Sequence, residues 1–175
     1  MVRNSGKLLF TEIGKPIADM HAGKNVNPGS DTTFGLGEAG YDIRIKQDVT
    51  FYRLFGLIPM VKIVDGSYVR RHFGKFALAS AIERFDMSND LVGIVHDKST
   101  WARRALSVFN TVIEPGWQGY LTLELVYHGR KKLHIPAGSG IAQVIFHETA
   151  MRATYRGRYQ NQANQPVAAK SANKE

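Results

Sequence analysis

The feature that most constrains this chain is a series of short apolar segments with period-two alternation, broken by turn residues at intervals of roughly ten residues. It is clearest where Tyr41, Ile43 and Ile45 alternate with Asp42, Arg44 and Lys46. The same reading predicts strands over Val49 to Leu54, Met60 to Val64, Lys75 to Ser80, Leu91 to Val95, Leu106 to Val112, Tyr120 to Tyr127 and Gly140 to His147. Side chains that alternate in this way face opposite sides of a sheet, so the expectation is an all-β barrel or sandwich. Seventeen glycines and six prolines are scattered along the chain, as many turn-linked strands require. At 175 residues and 43% hydrophobic content, one core is expected.

Three stretches depart from the strand pattern. Ile13 to Ala22 is predicted to form about two turns of helix. Gly23 to Gly37, rich in Gly, Asn, Ser, Asp and Thr, reads as a loop. From Ala153 the apolar content falls and the segment becomes polar and basic, which predicts a flexible tail. The expected organisation is a domain over 1–152 followed by a lid or tail over 153–175.

The composition excludes several chemistries. There is no cysteine, hence no disulfide, no thiolate nucleophile and no Cys-x-x-Cys pair of the kind that zinc deaminases use. The six histidines include no pair at the i, i+4 spacing of a helical zinc motif. The longest uncharged apolar run, Phe55 to Val61, is too short to span a bilayer. No signal-peptide pattern opens the chain, so a cytoplasmic protein is expected. Twenty-three basic against fifteen acidic residues leave a net charge of +8, which suits a polyanionic partner, nucleotide or nucleic acid.

Two places carry candidate chemistry. Asp97-Lys98-Ser99-Thr100 leads into Trp101-Ala102-Arg103-Arg104-Ala105-Leu106, a short helical turn in which Asp97 or Ser99 is the expected N-cap. Ala102, Ala105 and Leu106 form its expected buried face. The unpaired N–H groups of a helix start suit phosphate, although an ordinary capped turn fits the same residues. In the strand Tyr120 to Tyr127, Leu121, Leu123 and Leu125 point one way and Thr122, Glu124 and Val126 the other. Glu124 is a lone charge there. It either pairs with an arginine or faces a polar cavity as a general acid or base. Gln143, within Ile141 to Phe146, needs a partner for its amide, either in the sheet or on a ligand.

Taken together, these segments resemble the dCTP deaminases, whose distorted jelly-roll fold and homotrimeric assembly are shared with the dUTPases. The resemblance rests on GYDIR at Gly40 to Arg44, FALASAIERF at Phe76 to Phe85 and KSTWAR at Lys98 to Arg103. EPGWQGYLTLEL at Glu114 to Leu125, GIAQVIF at Gly140 to Phe146 and YRGRYQNQ at Tyr155 to Gln162 follow in order. It implies an all-β domain with one or two short helices and an active site between subunits. It implies Glu124 as the group that activates water, with Ser99 and Arg103 orienting that water and stabilising charge at the base. The resemblance extends substrate contacts to Lys98, Thr100, Trp101, Ala102, Thr111, Glu114, Thr122, Leu123, Gln143, Tyr155, Arg158 and Gln162. Magnesium is implied as a companion of the triphosphate rather than a protein-held metal, and dTTP as a candidate inhibitor. Asp97 stands where a glycine commonly precedes the Lys-Ser-Thr step, and Phe109-Asn110-Thr111 departs from the usual base-selecting pattern. Two other readings remain open. One is a dUTPase-type pyrophosphatase, or a bifunctional enzyme forming dUMP, with Glu114 as base. The other is a non-catalytic nucleotide- or nucleic-acid-binding homologue.

Overall fold

The computed structural model describes residues 2–3 and 15–171. Within them the chain forms, in order, β1 (Val2–Arg3), β2 (Lys24–Asn27), β3 (Thr32–Leu36), β4 (Tyr41–Arg44), β5 (Asp48–Leu54), β6 (Ile58–Asp65) and β7 (Tyr68–Phe73). There follow β8 (Phe76–Asp86), β9 (Leu91–Asp97), the one-turn helix α1 (Ser99–Ala102), β10 (Leu106–Val108), β11 (Val112–Ile113), β12 (Gln118–Tyr127), β13 (Leu133–Ile135) and β14 (Gly140–Glu148).

Three antiparallel sheets wrap one core. The largest runs β11-β9-β14-β4-β3-β2, with β1 added on β14; the second runs β10-β12-β8 and the third β13-β5-β6-β7. The alternation predicted for β4 is realised with Tyr41 and Ile43 fully buried, and Ile45 beyond the strand is buried beside them. β8 and β12 form the longest pairing, from Gln118↔Asp86 to Val126↔Phe76. The inward residues of the long strands are mostly apolar, large on β5, β9, β12 and β14 and chiefly alanine on β8, and burying them together supplies the main driving force for closing the three sheets on each other.

Most polar groups caught inside are paired, Asp42 Oδ1 being the exception among the described residues. Glu83, on β8, accepts from Arg44 N at 2.9 Å and from Arg44 Nε at 2.8 Å. Gln47 donates to Ser80 Oγ and Asp65 Oδ2 and accepts from Ser80 N at 2.8 Å. These bonds fix the end of β4 and the start of β5 against β8, which ties the first and third sheets to the second.

Several expectations are corrected. Residues 15–22 are not helical: Ile17, fully buried, bridges Phe85, with Ala18 N bonded to Arg84 O and Asp86 N to Pro16 O. A residue that precedes proline is disfavoured in a helix, and one buried isoleucine added to the end of β8 outweighs the weak helical pattern. Ile13 and Gly14 lie outside the described residues. The stretch read as a loop, Gly23 to Gly37, is the hairpin β2–β3, registered from Lys24↔Gly35 to Asn27↔Thr32. β2 lies at a sheet edge with mostly exposed side chains, so its polar composition satisfies the strand as well as it would a loop. The single strand predicted over Leu106 to Val112 is two, β10 on β12 and β11 on β9. The chain changes sheets at Phe109-Asn110-Thr111.

No helix among the described residues is long and apolar enough to cross a membrane.

Candidate active site

Glu124 sits two-thirds of the way along β12, opposite Leu78 of β8. The alternation of the strand sends Leu123 and Leu125 into the core, both essentially fully buried, and leaves Glu124 half-buried on the other face. Its carboxylate has no ion-pair partner among the described residues, so no arginine among them neutralises it. Burial pushes its pKa above the ordinary value, opposed in part by its own backbone N–H. Desolvation of an unpaired carboxylate favours its protonated form, so this side chain takes up a proton more readily than an exposed one.

The face that Glu124 occupies borders a cavity of 420 Å³. Phe76 and Leu78 of β8, Leu121, Thr122 and Glu124 of β12, and Thr111 to Glu114 beside β11 form its walls, with Trp117 below. Register between β8 and β12 breaks between Tyr120 and Thr122, which lets the neighbours Leu121 and Thr122 both border the space. The volume falls in the range of small-molecule sites, and the lining combines apolar walls with a few polar groups.

The last wall comes from the tail. Residues 153–171 have no regular strand or helix, yet they follow a defined path over this face. Tyr155 N bonds Pro115 O, Trp117 Nε1 donates to Tyr159 O at 2.7 Å, and Gln118 N donates to Gln160 Oε1 at 2.9 Å. Gly119 bridges Gln162 in parallel, with Tyr120 N bonded to Gln162 O. Only glycine suits position 119: its φ is +137°, and a Cβ there would lie 2.6 Å from Gln162 N. Thr122 Oγ1 then accepts from Gln162 Nε2 at 2.8 Å and Val167 N at 3.1 Å. Tyr155, Tyr159, Gln162, Val167 and Ala169 thereby line the cavity.

Of the residues singled out in the sequence, Thr111, Glu114, Thr122, Glu124, Tyr155 and Gln162 come together here. Leu123 does not present its side chain, which is in the core. Gln143, on β14 opposite Asp42 and His96, lies outside this lining, as does Arg158, which donates to Lys170 O and stacks near Tyr159. Tyr159, Trp117 and Val167 were missed. Tyr159 was legible as an aromatic among the tail's polar residues, whereas nothing in Pro166-Val167 marked a wall of a cavity.

Lys98 to Arg103 form a separate constellation on the same subunit and do not line this cavity. α1 is a single turn whose N-cap position is Lys98, and no side chain caps it. Asp97 instead accepts from Val108 N at 2.6 Å, tying the turn to β10. Of the expected buried face, Leu106 is buried and Ala105 packs partly buried against the core, but Trp101 takes the place of Ala102. Trp101 is 1% exposed and donates from Nε1 to Gly140 O at 2.7 Å, whereas Ala102 is exposed. The indole wins because it buries far more apolar surface than a methyl group can. Ser99, Ala102, Arg103 and Arg104 face outward, and Thr100 is half-buried.

No three His, Asp or Glu side chains converge among the described residues.

Known proteins resemble the chain in sequence and in fold. A family model described as dCTP deaminase-like matches residues 13–149. A dCTP deaminase of Campylobacter lari is 30% identical over 165 residues, 85% of this chain and 84% of that protein. That of Protochlamydia amoebophila is 35% identical over 145 residues, 74% of this chain and 77% of that protein. Among solved structures, 2'-deoxycytidine 5'-triphosphate deaminase from Agrobacterium tumefaciens superposes with a TM-score of 0.55 at 13% identity, covering 85% of this chain and 48% of that one. The dUTPase of Staphylococcus bacteriophage 80alpha gives 0.50 at 14% identity, covering 83% and 92%. Both structures share the fold, and the chain belongs to the dCTP deaminase-like family.

Proposed function

We propose that the protein deaminates dCTP to dUTP and ammonia, with Glu124 as the proton-transferring group. The observation that carries this is the unpaired, half-buried Glu124 carboxylate, its pKa raised by burial, in the wall of a cavity of nucleotide size. In the proposed reaction Glu124 takes a proton from water as the water oxygen bonds to C4 of cytosine. That proton passes to N3 as the C4=N3 double bond opens. The proton of the new C4 hydroxyl then passes through Glu124 to the amino nitrogen, the C4–N bond to it breaks, and ammonia leaves as the carbonyl forms and N3 keeps its hydrogen. A carboxyl of raised pKa is suited to hold that proton between the two steps.

Ser99 and Arg103 act on the water and on the charge developing at the base, and they reach Glu124 from a neighbouring subunit of a homotrimer. The separation of the Ser99–Arg103 turn from the cavity within one chain supports this arrangement. Thr111 borders the base and Glu114 the sugar, while Tyr155, Arg158 and Gln162 belong to a tail that closes on nucleotide. Magnesium travels with the triphosphate and offsets its charge. The enzyme serves the cytoplasmic deoxynucleotide pool, and dTTP is a candidate inhibitor.

Incubating the protein with dCTP and magnesium and following ammonia release together with nucleotide products tests the reading. Stoichiometric ammonia and dUTP are expected. Conversion of dUTP to dUMP without any ammonia from dCTP contradicts it.

A further inference from the structure

Lys98 belongs to the segment expected to hold phosphate, yet its ammonium is turned the other way. It pairs with Asp42 of β4 and donates to Thr33 Oγ1 of β3 at 3.0 Å. Thr33 in turn donates to Asp42 Oδ2 at 3.3 Å, which closes a ring of three side chains. Both charges are largely removed from water, the Lys98 side chain being 11% exposed and that of Asp42 6%. A close pair of opposite charges presents little net charge to a ligand beyond it, and drawing the ammonium away would leave a buried carboxylate uncompensated. Asp42 is poorly placed to lose this partner, because its other oxygen, Oδ1, is buried and unpaired among the described residues. The turn that follows is pinned on either side of Lys98, by Asp97 to Val108 N and by Trp101 to Gly140 O. Ser99 and Arg103, between and beyond these anchors, are exposed.

We infer that Asp42 is a positioning residue: with Thr33 it holds Lys98 inward as an anchor of the Ser99–Arg103 turn. The nucleotide's phosphates are then met by the outward groups of the turn and not by Lys98. This rests on the dCTP reading above for its substrate, and on the ion pair alone for its geometry. It assigns a role to the acidic residue of Gly40-Tyr41-Asp42-Ile43-Arg44, which touches neither the cavity nor, on this account, the substrate.

The test uses the full chain with Lys98→Met, Lys98→Arg, Asp42→Asn and the double variant Asp42→Asn/Lys98→Met. Turnover of dCTP, binding of dCTP and dCMP by calorimetry, and melting temperature are measured on each. Lys98→Met and Asp42→Asn should both lower kcat by about tenfold or more, because a displaced turn misplaces the groups that act on the reacting centre. Any change in the ratio of dCTP to dCMP affinity should be the same within about threefold in Lys98→Met and Asp42→Asn and should accompany the loss of kcat, since the groups that meet phosphate sit on the same displaced turn. Lys98→Arg keeps the charge and should restore most of kcat. The double variant leaves no lone buried charge and should melt above at least one of the single variants.

A Lys98→Met protein with parental kcat at saturation and a dCTP preference lowered by about tenfold or more would show Lys98 to be a phosphate ligand and overturn the inference. Single variants that melt lower but keep parental kcat when folded would show a merely structural pair and overturn it as well. A parent that binds dCTP without releasing ammonia contradicts the proposed function instead, and the affinity ratio on the same variants still decides the role of Lys98.

Discussion

Replacing Trp101 by phenylalanine tests how the turn is held. The indole is 1% exposed, and its Nε1 gives the buried carbonyl of Gly140 a donor at 2.7 Å. That carbonyl lies where β14 breaks register with β4, between Gly140 and Ala142, so the ladder is irregular at this point. Phenylalanine removes the donor and leaves the acceptor buried, at a cost of about 1–3 kcal/mol. Exchanging indole for phenyl also gives up roughly 40 Å² of buried apolar surface, about 1 kcal/mol at ~25 cal/mol per Å². The sum, about 2–4 kcal/mol, is a large part of the ~5–15 kcal/mol that holds a typical domain together. Urea unfolding followed by far-ultraviolet circular dichroism, at fixed protein concentration, should show the midpoint falling by about 1 M for a slope near 2–3 kcal/mol per M. Trp101→Ala should lose more. A Trp101→Phe protein whose midpoint moves by less than about 0.3 M, while its Michaelis constant for dCTP rises, would refute the reasoning and make Trp101 a substrate contact.

Glu124→Gln should stabilise the fold near neutral pH. A carboxyl whose folded pKa is raised contributes stability that is fully present below its unfolded pKa and is lost as pH rises through the folded value. The melting temperature of Glu124→Gln should therefore exceed that of the parent at pH 7, with the gap closing as pH falls below the usual carboxylate range; a lower melting temperature at pH 7 contradicts the unpaired carboxylate. Deleting residues 153–175 should leave a folded protein whose turnover is severely reduced, because Tyr155, Tyr159 and Gln162 leave the cavity wall; unchanged turnover removes the tail from the site. Activity should persist with a zinc-specific chelator and weaken when magnesium is withheld; stoichiometric zinc in the active protein contradicts the proton-transfer role given to Glu124.

The strands that form the walls were the most legible part of the sequence. Tyr120 to Tyr127 carries its alternation openly, and the structure places Leu123 and Leu125 inward and Glu124 on the opposite face as the pattern dictates. Period-two reading failed where a strand had little to bury. β2 at its edge is mostly exposed, and β7, also an edge, buries none of its six residues fully, so neither shows a hydrophobic stripe. The turn at Ser99 was recognised, and of the face expected to be buried, Leu106 is buried and Ala105 partly so, but Ala102 is exposed because helical spacing was assumed over more than the single turn that exists. Whether Glu124 had an arginine partner was left open by the sequence, since pairing depends on which strands meet. The inward course of Lys98 was equally hidden: Asp42 and Thr33 lie far from it in the chain and reach it only when β3 and β4 join β14, and with it β9, in the same sheet.

The central claim is tested most directly by ammonia release from dCTP in Glu124→Gln, measured beside dCTP affinity. The amide keeps the size and most of the hydrogen-bonding capacity of the carboxylate but cannot take a proton. Deamination should fall by at least about a hundredfold, while affinity stays within about threefold of the parent. Loss of dUTP cleavage in Glu114→Gln, with Glu124→Gln cleaving dUTP at the parent rate, would mark a pyrophosphatase instead. A Glu124→Gln protein that releases ammonia from dCTP at the parent rate would contradict the account.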